Sequence, residues 1–176
     1  MNKFLLTLLL IGTVVVSMAQ DVPRFAKYPV STSGCYAYFP ADPGSFELQK
    51  SEDSLNMYIG EVNFGGAFYS MILVDLGNAF AESGKEELDG LLTQYLDYLQ
   101  TQLNITGAAG YGMGHTLESN PNATGVIDFW EDAELYQYDV KAWADNHFLA
   151  VLMVYSLEEV NYNYKSMFLN GFRFPE

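Results

Sequence analysis

The sequence predicts an α+β fold, an α/β/α sandwich with a largely antiparallel sheet and helices on both faces. Three observations point there. Ala67–Leu76 is apolar on both phases of a two-residue alternation, so a strand there needs cover on both sides. Leu88, Leu91, Leu92, Tyr95, Leu99 and Leu103 recur at helical spacing, forming one apolar stripe. A three-strand meander then leads into a second helix-start signature at Ser156-Leu157-Glu158-Glu159.

Taken in chain order, Lys3 opens a thirteen-residue run, Phe4–Val16, broken only by Thr7, Gly12 and Thr13. Ser17-Met18-Ala19 then supplies small-x-small cleavage residues, which makes residues 1–19 a secretory signal peptide. The run is shorter than the ~20 residues of a spanning helix, which argues against a retained anchor, and no later stretch is long and apolar enough to span, so no membrane insertion is expected after its removal. Residues 20–176 have the length of a single domain. An export signal places the protein in the periplasm or the secreted fluid.

Gln20–Ser33, punctuated by Pro23 and Pro29, is an extended lead-in, and Gly34–Phe39 alternates before Pro40. Cys35 falls in phase with Ala37 and Phe39, as a small buried hydrophobe would. As the only cysteine it leaves no internal disulfide. Phe46–Lys50 and Leu55–Val62 form a hairpin around Ser51–Ser54, and Gly65-Gly66 turns the chain into the central strand. Ser83-Gly84-Lys85-Glu86 is the expected helix start, where Glu86, Glu87 and Asp89 suit the helix dipole. A single glycine-rich strand over Thr106–Leu117 and a loop at Ser119–Thr124 follow.

Thr124–Trp130, Leu135–Ala144 and His147–Ser156 make the meander. With turns at Glu131–Glu134 and Asp145-Asn146, Phe129 pairs Tyr136, Ile127 pairs Tyr138, Val140 pairs Val151 and Tyr138 pairs Met153. These residues make one greasy face. The other face carries Asp128, Trp130, Gln137, Asp139, Lys141 and Trp143, a polar, tryptophan-bearing surface toward one edge. The final helix places Val160, Tyr164, Met167 and Phe168 inward and ends at Gly171.

Tyr38-Phe39-Pro40, the amphipathic Leu88–Leu103 helix and the closing Phe168-Leu169-Asn170-Gly171-Phe172 resemble the PsbP-like family, which includes Mog-like members. The resemblance covers nearly all of residues 20–176. It implies an α/β/α sandwich that serves as a binding or assembly partner rather than an enzyme, and it carries no ligand residue over.

Composition narrows the function classes. Twenty-two acidic residues against eight basic ones give a net charge of −14, which repels nucleic acid and anionic lipid. Twenty-seven aromatic residues exclude a disordered chain. His115 and His147 show no metal-ligand spacing, and Gly110–Gly114 lacks the residues of a nucleotide loop. Glu131-Asp132-Ala133-Glu134 is a solvated hairpin tip rather than a calcium loop. Asn104 and Asn122 fit a glycosylation pattern short enough to arise by accident. Accordingly no catalytic residue, metal or cofactor is assigned.

Tryptophan is enriched where proteins bind partners. The first expectation is therefore an exported, non-catalytic accessory protein of the cell envelope. It would engage an unidentified protein or envelope component, favourably a basic one, through Trp130, Trp143, Asp128, Asp139 and Gln137. The alternative is a small-molecule binder or hydrolase with a pocket between the sheet and the first helix, using His115 and Tyr111 with a nearby acid.

Overall fold

The computed structural model describes residues 22–51 and 54–175, so the leader assigned to residues 1–19 lies outside the described residues. Strands β1 (Ala26–Pro29) and β2 (Tyr36–Phe39) form an antiparallel ribbon. Strands β3 (Glu47–Lys50), β4 (Asn56–Phe64), β5 (Ala67–Asp75), β6 (Ile105–Ala108), β8 (Asn120–Asp132), β9 (Gln137–Ala144) and β10 (Phe148–Ser156) line up as β3-β4-β5-β10-β9-β8-β6. Strand β7 (Gly112–Leu117) also pairs with β8. The helices are α1 (Lys85–Gln102) and α2 (Tyr162–Leu169).

Among the described residues, ten strands and two helices make this a β-rich fold, not the expected α/β/α sandwich with helices on both faces. The physical reason is that only one segment has enough helical apolar stripe to form a layer. On one face α1 buries Leu88, Leu92, Leu96 and Leu99 against Val126, Trp130, Val140, Val151 and Met153. Each such leucine contributes roughly 1.5–3 kcal/mol of burial free energy. The other face is covered mainly by the β1–β2 ribbon and the carboxy-terminal tail. Val30, Ala37, Phe39, Phe172 and Phe174 pack there with Phe168 of the two-turn α2 on Tyr69, Met71, Leu73 and Leu152. Arg173 extends this cover by exchanging two backbone hydrogen bonds with Tyr36, at 2.9 and 3.1 Å.

Local chemistry shifts several element boundaries. Gly84, not Ser83, is the N-cap of α1, and its amide donates to the Glu87 carboxylate at 3.2 Å. Asn161 caps α2 by accepting from the Asn163 amide, whereas Ser156 closes β10 and accepts from the Glu158 amide. The glycine-rich stretch divides into β6 and β7, both on β8, with Gly110 at φ 92° between them. The expected loop at Ser119–Thr124 instead begins β8.

The meander registers differ in a way that decides which side chains reach water. Trp130 stands opposite Tyr138, Asp128 opposite Val140 and Phe129 opposite Asp139. Relative to the expected pairing this is a slip of three residues, and an odd slip exchanges the two faces of a strand. Asp132 sets it: its carboxylate accepts from the amides of Glu134 and Tyr136 and from the Tyr138 hydroxyl. The turn therefore runs through Leu135, held at φ 68°, a region that leucine rarely adopts. Between β9 and β10 the slip is two residues, with Val151 opposite Ala142, so those faces are kept. Asp145 plays the corresponding part there, accepting from the amides of His147 and Phe148.

Candidate functional site

The β8 register separates the residues expected to share one surface. Trp130 and Asp128 face α1, while Trp143, Asp139 and Gln137 face the opposite way. Both tryptophans are 3% exposed, so neither forms an accessible patch. The Trp143 ring lies directly over Gly125, where a Cβ would collide with it. The Lys141 ammonium sits 4.9 Å from the same ring.

Asp128 is fully buried yet satisfied. It accepts from the Trp130 indole N–H at 2.6 Å, the Phe129 amide at 2.8 Å and the Gln100 amide group at 3.3 Å. The same Gln100 reaches the Tyr111 hydroxyl, which donates to Asp97 of α1. Burial, and then the Asp97 carboxylate, push the Tyr111 phenol well above its ordinary range and keep it protonated. This network ties the edge of the sheet to α1.

His115 is not part of it. It pairs with Gly125, on the Trp143 side of the sheet, whereas Tyr111 bonds to the helix on the other side. The expected pocket between sheet and α1 is instead occupied by the leucines of the helix. Partial burial, and then the Lys141 charge, lower the His115 pKa. The unfolded chain, whose imidazole titrates near 6.5, therefore takes up that proton first as the pH falls. The resulting contribution to stability is whole above that value and is lost as the pH drops below it. Urea midpoints measured from about pH 7 to about pH 5 are expected to fall less steeply in His115→Gln than in the unmodified protein.

What the register places outside is Phe129, 52% exposed in the middle of a paired strand. Two concavities meet around it. One, of about 180 Å³, lies between α2 and the sheet against Ile127, Tyr162 and Leu169. The other, of about 450 Å³, continues along β6 past Ala109 and Gln137. Phe129, Asp139 and Lys165 line both, so they form one trough. Lys165 and Asp139 bridge at 2.7 Å with about a fifth of each side chain accessible. Lys141 donates to Asn170 at 2.6 Å, and its partial burial lowers the ammonium pKa. Tyr162, 76% exposed, stands at the α2 rim.

No family model and no curated protein matches the chain. The PsbP-like resemblance accordingly rests on element order and the short aromatic motifs alone. Of the residues assigned from sequence, Asp139 and Gln137 line the trough on its accessible side, and Trp130 meets it only from beneath. Phe129 and Tyr162 were missed. The β8 alternation offers apolar residues on both phases, Val126 and Trp130 on one, Ile127 and Phe129 on the other. Asp128 then biases its own phase toward solvent, and only its three donors show why that bias fails. Chemically the trough offers the Phe129 ring beside the Lys165–Asp139 ion pair. Among the described residues no helix is long and apolar enough to cross a membrane.

Proposed function

We propose that the chain is an exported, non-catalytic binding protein of the cell envelope that engages a partner through the trough centred on Phe129. The observation that carries this reading is the half-exposed phenyl ring at mid-strand, with Tyr162 and Ile127 beside it. Aromatic anchors in partly enclosed surface pockets dominate the energetics of protein interfaces. The leader-like residues 1–19 support export, and the net charge of −14 favours a partner with basic flanks around an apolar anchor.

The test is capture from a native envelope fraction by the unmodified protein, by Phe129→Glu and by Leu48→Glu. Leu48 is 58% exposed on β3, at the far edge of the sheet. Leu48→Glu should change stability by no more than about 0.5 kcal/mol, and Phe129→Glu, which sets a carboxylate opposite Asp139, is used only after far-ultraviolet circular dichroism shows an unchanged fold. A species captured by the unmodified protein and Leu48→Glu, and weakened at least about tenfold with Phe129→Glu, is the expected result. Equal capture by all three proteins overturns the assignment.

A further inference from the structure

We propose that a second cleft, at the Gly65-Gly66 end of the sheet, binds a small organic cation through an alkylammonium or guanidinium group. The cleft has a volume of about 890 Å³, within the range of small-molecule sites. Its walls come from the β4–β5 turn, the exit of β10 and the start of α2. Gly65 and Gly66, at φ 61° and 82°, supply the left-handed backbone of the β4–β5 turn. Ser156 holds the opposite wall against it, donating to the Gly66 carbonyl at 3.3 Å while accepting from the Glu158 amide at 3.1 Å.

The lining has one electrostatic sense. Phe64 and Tyr164 line it from the side that buries Tyr69, Tyr136 reaches it from the α1 side, Glu158 and Glu159 are exposed at it, and among the described residues no lysine or arginine lines the cleft. Ring faces attract cations through their quadrupole, and carboxylates add direct attraction. Tyr69, 1% exposed, forms the buried floor of the cleft. An anion would meet the same walls with repulsion. The cleft shares none of its lining with the trough around Phe129, so the proposal stands apart from the partner reading.

The experiment is an amide NMR titration of the full protein with choline, with its neutral tert-butyl isostere and with an acetylated arginine amide. Shifts clustered on residues 63–67 and 156–164, with choline or the arginine amide binding about tenfold or more tighter than the neutral isostere, are expected. Tighter binding of choline assigns a small free alkylammonium ligand. Tighter binding of the arginine amide assigns a peptide side chain. Glu158→Gln with Glu159→Gln, both exposed positions, should weaken the preferred cation several-fold without unfolding the domain. Equal binding of the neutral isostere, shifts scattered over the acidic surface, or affinity unchanged in the double variant overturns the proposal.

Discussion

Replacing Trp130 by alanine is expected to lower the unfolding free energy by about 3–5 kcal/mol, the range for deleting a buried aromatic side chain. The indole is 3% exposed, stands opposite Tyr138 across the β8–β9 ladder and lies in the core covered by α1. Its removal also takes the closest donor from Asp128, leaving a fully buried carboxylate with the Phe129 amide and Gln100 alone. Withdrawing a charge-assisted hydrogen bond in such surroundings adds to the cavity term rather than overlapping it. Urea denaturation followed by far-ultraviolet circular dichroism measures the loss. A change below about 1 kcal/mol would mean that the indole faces water. The same substitution would be nearly silent for stability if Trp130 belonged to an exposed binding surface.

Phe168→Ala is expected to cost a similar 3–5 kcal/mol, but from the opposite face. Its ring is fully buried, 4.9 Å from Phe39 and 5.5 Å from Tyr69, both in edge-on geometry. Phe168 is the fully buried residue of α2 and pins that helix to the sheet. Loss of the pin also displaces Leu169 and Tyr162 from the rim of the trough, so partner capture should weaken together with stability. The cores on the two faces share no residue, and layers stacked on a sheet lie about 10 Å apart. The effects of Trp130→Ala and Phe168→Ala should therefore add to within about 0.5 kcal/mol. Strong non-additivity would indicate that the two faces are not separate cores.

Much of this architecture was legible because burial on both sides of a strand leaves a plain trace. The apolar run of β5, the Gly65-Gly66 turn before it and the leucine stripe of α1 belong to that class. The β9–β10 pairing slipped by two residues without consequence, since an even slip preserves the faces. The β8–β9 register was not legible. It depends on Asp132 organising its turn and on Asp128 finding three donors, one of them from a helix twenty-eight residues away. The cover of the second face was likewise hidden, because short extended segments such as Ala26–Pro29 and Phe172–Phe174 carry no period long enough to announce a layer. A helix was expected to do work that a ribbon and an aromatic tail perform. The candidate site inherited the register error. Asp139 and Gln137 were assigned to the accessible surface because β9 was phased correctly, and Phe129 was missed because β8 was not.

The pairing of β8 with β9 determines which aromatic side chains can meet a partner, and inter-strand nuclear Overhauser contacts report it directly. A backbone contact between Phe129 and Asp139, with a matching one between Trp130 and Tyr138, is the predicted result. A contact between Phe129 and Tyr136 would restore both Trp130 and Asp128 to the other face and contradict the assignment of the trough.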